Sequence, residues 1–453
     1  MLCLAALLAA CGQSKEFVRP AAPVPKQWPT TAGGPAQQEA PKVHWKTFFP
    51  DPRLQALITI ALQNNRDIRI AAARVSEARS QYALARAERM PIVNLLGSAA
   101  FAGTPNDLVN AGTPASFERY DTSISTMSYE VDFWGRLANL SEAARNSFLA
   151  TQEAERAVQA SLVAEVASTY FSLVQFEESA QLASNTVATR EVTLNVVGKG
   201  RDAGGSYDFE VEQASSALEA ARAGLDSLEH QINTAQNRLN YLLGEVPQAL
   251  PTGLRLNEQG LDIAIAPGLP SEVLLSRPDV IAAEQRLRAA QANIEAARAA
   301  FLPKVMLTAG LGVASQGLGT LFSGAAWNFA PSLAMPLFDG GRLAASRDIA
   351  EVRKVIAVAE YEKTIQLAFR EVSDLLSARA SLAKQMRSAE INEKAQAKRL
   401  EIAVARNKVG LTTYLDVLDG QREWVAAQQG RSQLRRAQLE ASAQLYKALG
   451  GGA

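Results

Sequence analysis

The sequence predicts a mixed α/β membrane protein in which very long helices alternate with β-hairpins in two tandem copies. The 453 residues are rich in Ala, Leu, Glu, Gln and Arg, a composition typical of long helices. The apolar residues of the helical segments are spaced three or four apart, as in coiled coils. Two further pairs of segments alternate apolar with polar or small residues, which is the period of a β-strand.

The first element, residues 1–10, is predicted to be a signal peptide. The apolar run Leu2–Leu8 leads into Leu8-Ala9-Ala10-Cys11-Gly12, which resembles a bacterial lipobox, so we expect cleavage before Cys11 and acylation of Cys11. No Lys or Arg precedes the run, so the signal is incomplete and its start is expected upstream of Met1. Gly12 at the second position favours sorting to the outer membrane. The alternative is an incidental cysteine in a short signal-peptide core.

A Pro- and Ala-rich extended segment, 11–52, is predicted to tether the anchor to helices over 53–90 and a first β-hairpin over 91–134. The outgoing strand places Val93, Leu95, Ala99 and Phe101 on one face. The return strand alternates Met127, Tyr129, Val131 and Phe133 against Ser128, Glu130 and Asp132.

A helical hairpin over 135–243 follows. Its first helix runs without proline from Leu137 to about Val197. Such a helix is roughly 90 Å long at 1.5 Å per residue, more than a compact domain holds. A glycine-rich turn, Gly198–Gly205, precedes a second helix from Tyr207 to Leu243.

The same plan returns after an irregular segment, 244–270. Asp67 and Pro91 recur 212 positions later as Asp279 and Pro303, and Gly204 recurs 206 positions later as Gly410. Because the matches include prolines, glycines and hairpins, we interpret them as a duplication rather than chance similarity of Ala-rich helices. The second copy comprises helices over 271–302, a hairpin over 303–338, a helical hairpin over 339–449 and a tail, 450–453.

The four predicted strands have the length and alternation of membrane-spanning strands. Four strands cannot close a barrel, and open edges are not tolerated in lipid, so several chains must contribute to one barrel. No run of about 18 apolar residues follows the signal, so no transmembrane helix is predicted.

Charge and motifs argue against several other classes. The 46 basic and 46 acidic residues are interleaved, so no basic face is available for nucleic acid. His44 and His230 stand without neighbouring metal ligands, and no GxSxG, Walker A or GxGxxG motif occurs. We therefore expect no catalytic activity, no bound metal and no cofactor apart from the lipid on Cys11.

Several motifs together resemble the TolC-type outer-membrane factors, and within them the lipoprotein branch of tripartite efflux pumps. The motifs begin at Trp45 (WKTFFPDPRL), Tyr129 (YEVDFWGR), Gly268 (GLPSEVLLSRPDV), Ala299 (AAFLP) and Leu445 (LYKALGGG). The resemblance implies a homotrimer with a twelve-stranded β-barrel, continuous with a long α-helical coiled-coil barrel in the periplasm. Segment 244–270 would form an equatorial belt. The implied function is a passive outer-membrane exit duct, lipid-anchored and extending into the periplasm.

Partners by resemblance are a periplasmic adaptor, an inner-membrane transporter of the RND type and outer-membrane lipid. The main alternative is that the chain is itself the adaptor lipoprotein, although it shows no lipoyl-like β-domain. A periplasmic hydrolase on a lipid anchor would need a nucleophile and a base, and no such arrangement occurs in the sequence.

A periplasmic gate is expected just after the second helical turn, at Leu415, Asp416 and Asp419. The two aspartates lie three apart on one helical face and would form carboxylate rings in a trimer, with raised pKa values and a preference for cations. Glu210 occupies the equivalent slot of the first copy, where it would contact a neighbouring helix. The alternative is an ordinary solvated helix face. Where the best-known family member has a latching arginine and tyrosine, this chain has Thr412 and Asn407.

Overall fold

The helices and strands follow one another in two copies of a single plan. A computed structural model describes residues 17–25, 28, 44–105, 116–204, 207–261 and 271–451. The first copy contains α1 (Trp45–Phe48), α2 (Pro52–Asn64), α3 (Arg66–Ala87), β1 (Asn94–Gly103), β2 (Ser116–Val131), α4 (Arg136–Asp202) and α5 (Asp208–Leu243). The second contains α6 (Pro278–Ala299), β3 (Lys304–Ser315), β4 (Ala325–Ala334), α7 (Arg342–Lys408) and α8 (Tyr414–Ala448).

The chain divides into two compact units. The first consists of residues 1–21, 74–152 and 282–362 and contains the sheet. The second consists of 22–73, 153–281 and 363–453 and contains α5, α8 and the far parts of α4 and α7. Each unit therefore combines segments from both copies of the duplication.

The four described strands form one antiparallel sheet in the order β1-β2-β3-β4. The central pair, β2 with β3, joins the two copies, and Ile124 lies opposite Leu311. Strands of 10 to 16 residues match the 9–11 residues that a tilted strand needs to cross a membrane. The predicted mixed α/β fold with four strands per chain is confirmed.

One face of this sheet is apolar and exposed. Leu95, Ile124, Leu311 and Trp327 lie in one row across the four strands, and each is between 58% and 78% exposed. The opposite face carries small and polar residues, among them Ser125, Gly310 and Asn328. A membrane-facing side and a solvated side are therefore separated strand by strand, as in transmembrane barrels.

A β-bulge in β2 changes the alternation that the sequence predicts. Thr126 pairs with Ala309 and Tyr129 with Leu307, so Met127 and Ser128 together oppose Thr308. Ser128 has a φ of 54°, and its N–H donates to the Thr308 hydroxyl at 3.1 Å. Even-numbered Ile124 and odd-numbered Tyr129 consequently share the apolar face. The odd-numbered apolar face predicted for Tyr129 and Val131 therefore does not continue to the residues before the bulge, because the extra residue shifts the alternation of β2 by one position.

The polar face is closely packed around Gly312 of β3. A Cβ at this position would lie 2.1 Å from the carbonyl oxygen of Thr122 and 2.6 Å from Cβ of Ser123. Only glycine leaves space for the neighbouring strand to approach this closely.

The core of the second unit joins both copies around α4. Buried residues of α2, α5 and α8 pack against Val166, Tyr170 and Phe171 of α4. Within the described residues α4 is also the one helix long and apolar enough to cross a membrane. More than half of that apolar window is buried inside the protein, so we interpret it as a core segment rather than a membrane span.

Asp51 is a buried carboxylate that ties three segments together. It caps α2 by accepting from the Arg53 N–H at 2.8 Å. Its Oδ2 also accepts from the Tyr170 hydroxyl at 2.7 Å, from Gln259 Nε2 at 2.7 Å and from the Leu254 N–H at 3.0 Å. Burial and this hydrogen bond raise the pKa of Tyr170, so the tyrosine stays neutral and donates.

We expect Asp51→Ala to lower the free energy of unfolding by about 3 kcal/mol or more, because three donors from other segments, two of them in buried hydrogen bonds, lose their acceptor. Denaturant unfolding of the detergent-solubilised protein measures the change. The exposed Asp226 on α5 provides the control, and Asp226→Ala should change stability by less than about 0.5 kcal/mol. Equal effects of the two substitutions would contradict the role of Asp51.

Candidate functional site

Two tight turns join the long helices, one in each copy of the duplication. Gly204 and Gly410 adopt φ of 77° and 75° in equivalent places, a left-handed conformation that favours glycine at helix ends. In the second turn Asn407 Nδ2 donates to the Thr412 carbonyl at 3.0 Å. The two residues in the family's latch slots therefore bond to each other within one turn.

Asp416 is the third residue of α8 and caps the start of that helix. Its Oδ2 accepts from the Thr413 N–H at 3.1 Å, from the Thr413 hydroxyl at 2.9 Å and from the Thr412 hydroxyl. The two hydroxyl groups hold the pKa of Asp416 below its usual range. In the single chain hydrogen bonds therefore favour the charged form of Asp416, and the raised pKa expected of carboxylate rings in a trimer stays a prediction.

Glu210 has the same structural role at the start of α5. The Tyr207 N–H donates to Glu210 Oε2 at 3.3 Å, which completes a capping box. The duplication therefore preserves a capping carboxylate in both copies, 206 positions apart. In the single chain the Glu210 carboxylate turns back to its own N-cap, and the contact to a neighbouring helix that the sequence predicts for it stays a prediction.

Asp419 is paired with two arginines rather than left as a free carboxylate. Its oxygens lie 2.5 Å from Arg399 Nη2 on α7 and 2.6 Å from Arg422 Nη2 on α8. Gly420, the next residue, faces Leu400 of α7, and a Cβ there would make an ordinary van der Waals contact at 3.4 Å from Cα of Leu400. Each exposed pair contributes little stability, but together they compensate the charge of Asp419.

Leu415 is 52% exposed, whereas Val417 and Leu418 are buried in the helical seam. Leu415 and Asp419 line one groove with Arg190 of α4. The structure therefore brings two of the predicted gate residues to one groove, whereas Asp416 points back into the turn and Glu210 caps a different helix.

Thr193 and Tyr414 form a contact that the sequence analysis missed. The Thr193 hydroxyl on α4 lies 2.7 Å from the Tyr414 hydroxyl at the start of α8. The two residues are 221 positions apart, and no motif or spacing in a single sequence links them. Among the described residues no cluster of three His, Cys, Asp or Glu could hold a metal ion.

The segment leading from the predicted anchor docks on α6. Arg19 Nη2 lies 2.9 Å from Glu284 Oε2, and the Phe17 ring stacks on the Arg288 guanidinium at 4.4 Å. Glu284 is buried, and Arg288 also pairs with it at 2.7 Å, so the docked segment supplies one of its two counter-charges. Cys11 itself lies outside the described residues.

Comparisons with known proteins agree on one family. The outer membrane efflux protein model matches residues 57–245 and 269–451. The cation efflux system protein CusC of Escherichia coli is 39% identical over 99% of this chain and 97% of its own length. The probable efflux pump outer membrane protein TtgC of Pseudomonas putida is 37% identical over 98% and 93%.

Solved structures give the same result. The open state of the MtrE outer membrane channel of Neisseria gonorrhoeae has a TM-score of 0.89 and 34% identity, covering 98% of both chains. A crystal structure of CusC has a TM-score of 0.87 and 38% identity, covering 97% of this chain and 100% of its own.

Proposed function

The chain belongs to the outer membrane efflux protein family, and we propose two features of the outer-membrane exit duct that it forms in a tripartite efflux system. A lipid on Cys11 anchors the duct, and α8 carries its periplasmic gate. The alternative of an adaptor lipoprotein is wrong, since the matching relatives are outer-membrane channels over nearly their whole length.

The exposed apolar face of the sheet is the observation that carries the membrane function. Channels of this family are homotrimers, so three copies of four strands supply twelve strands to one barrel. Among the described residues the outer strands β1 and β4 each have one unpaired edge, and pairing between copies removes those edges. A trimer in detergent should therefore produce current steps in a planar lipid bilayer. A protein that purifies only as a monomer and conducts no current would contradict the function.

The docked N-terminal segment supports the proposed anchor. Phe17 is six positions after Cys11, a distance of at most about 20 Å along an extended chain. Arg288, the partner of Phe17, is eleven positions before the helix end at Ala299, just before β3, or about 16 Å along the axis of α6. The tether is therefore long enough to bring the lipid to the level where the membrane strands begin.

We expect Cys11→Ser to abolish incorporation of radiolabelled palmitate, because the thiol is the only acylation site that the lipobox offers. Cys3→Ser is the matched control, since Cys3 lies within the predicted signal, and the lipid should persist in it. Labelling that survives in the Cys11 variant would rule out this anchor. The barrel can still hold the unlipidated protein in the membrane.

The gate proposal places Leu415, Asp416 and Asp419 at the narrowest periplasmic opening. It is supported by their position directly after the turn that ends α7 and by the exposure of Leu415 and Asp416 at the start of α8. Glu210, which caps α5, lies at the corresponding place in the other hairpin and supports the geometry of that tip.

We propose a periplasmic adaptor and an inner-membrane transporter of the RND type as partners. Relatives are named for the efflux of cations, solvents and antibiotics alike, so similar ducts serve different cargo and we assign substrate choice to the transporter. Co-purification of the tagged chain from cells that express one adaptor and one RND transporter tests the assembly. Restored efflux in a strain that lacks its own duct is the functional readout.

A further inference from the structure

We propose that the hydrogen bond between Tyr414 and Thr193 is an intrachain latch that holds α8 against α4, and that Arg190 opposes it. The inference rests on the proposed function, in which the start of α8 carries the gate. It assigns a latch to a chain whose residues in the family's latch slots, Thr412 and Asn407, are bonded to each other within the turn.

The latch connects the two hairpins directly at the gate. Tyr414 immediately precedes Leu415 and Asp416, and its hydroxyl lies 2.7 Å from Thr193. The Thr193 hydroxyl also donates to the carbonyl of Thr189 at 3.0 Å in its own helix. Because a threonine hydroxyl has one proton, Tyr414 must donate to Thr193. The only polar group of Tyr414 beyond its backbone is therefore committed to α4.

Arg190 lies one turn from Thr193 on α4 and has the opposite energetic effect. It is 8% exposed, and its buried Nη1 has no hydrogen-bond partner in the part of the chain that the structure describes. Burial lowers the pKa of this guanidinium, which reflects the cost of enclosing a charge. Movement of α8 away from α4 would open the groove that Arg190 and Leu415 line and hydrate the guanidinium.

Substitutions in the latch and at the buried arginine should therefore change the rate of leaving the predominant conductance level in opposite directions. Tyr414→Phe and Thr193→Val each remove one hydroxyl and should raise the rate of leaving the predominant conductance level about two- to tenfold, the range expected for one hydrogen bond. The double variant should match the single ones, because both lose the same bond. Arg190→Met removes the buried charge and should lower that rate.

Single-channel recording of purified trimers in planar bilayers measures these rates. Thr189→Val is the matched control, since Thr189 lies one turn earlier on α4 and its hydroxyl donates to the Asn185 carbonyl of the same helix. A rate change in this control equal to that of Thr193→Val, or additive effects of Tyr414→Phe and Thr193→Val, would overturn the latch. A faster exit in Arg190→Met would overturn the opposing role of Arg190.

The outcomes separate this inference from the proposed function. Conducting trimers with unchanged exit rates in Tyr414→Phe would remove the latch and leave the duct intact. Wild-type trimers without any current would contradict the duct, and the latch with it.

Discussion

Arginine at Leu311 is expected to cost about 2–4 kcal/mol per chain and to prevent assembly of the membrane-inserted trimer. Leu311 lies near the middle of β3, is 68% exposed in the single chain, and sits between Ile124 and Trp327 on the apolar face. An arginine there would be placed in hydrocarbon with no partner. Heat-sensitive trimer migration on gels of isolated outer membranes measures the loss.

The cost should fall toward the end of the strands. Leu307 lies closer to the start of β3, and Leu333 is the last but one residue of β4, opposite Val305. The register therefore places Leu333 close to the strand end. Arginine should therefore impair assembly most at Leu311, less at Leu307 and least at Leu333, because a long side chain near the interface can reach water.

Ser332→Arg is the control for this series. Ser332 lies on the opposite face of β4, with Met306 as its neighbour on β3, so an arginine there would enter the aqueous bore. Trimers should form in near-normal amounts. Equal loss of trimer in the Ser332 and Leu311 variants would mean that the two faces of the sheet are assigned incorrectly.

The periodic parts of the fold could be predicted from the sequence, because the spacing of apolar residues and the positions of prolines and glycines are local signals. Alternation located both hairpins, and the prolines and glycines at nearly constant offsets revealed the duplication. The bulge at Ser128 could not be predicted, since its conformation depends on the Thr308 hydroxyl of another strand. Its effect on the apolar face is visible only in the register.

Long-range polar contacts were also beyond the sequence. Arg277 stands in the Ser-Arg-Pro-Asp motif that carried part of the family resemblance, yet a charged residue is normally expected at the surface. It is buried and pairs with Asp279 at 2.7 Å and with Glu371 at 2.9 Å, while Nη1 donates to the Ala448 carbonyl. Desolvation opposes the charge, but these partners raise the pKa of Arg277. The pairing of Asp419 escaped prediction for the same reason.

That pairing changes the expected selectivity of the gate. The sequence suggested two carboxylate rings with an excess of negative charge. In the structure Arg399 and Arg422 form ion pairs with Asp419. Each chain therefore brings two arginines as well as two aspartates to the gate. We therefore expect selectivity to depend on the Arg399–Asp419 ion pair rather than on carboxylates alone.

Substitutions at the two ends of this pair should shift the reversal potential in opposite directions. Asp419→Asn removes three negative charges from the trimer and should favour anions, whereas Arg399→Gln removes three positive charges and should favour cations. At about 8 Å in water, three unit charges change the energy of a cation by about 1.5 kcal/mol, or about tenfold in local concentration before screening by salt.

The measurement is the reversal potential of single channels under a salt gradient, at low ionic strength where screening is weakest. Arg387→Gln is the control, because Arg387 is exposed on the same helix α7 about 18 Å from Arg399 along the axis. It removes the same charge without approaching the gate. Shifts of the same sign at Asp419 and Arg399 would mean that the substitutions alter the bore through structure rather than charge. No shift in either would place the constriction away from α8, leaving these aspartates as solvated helix residues.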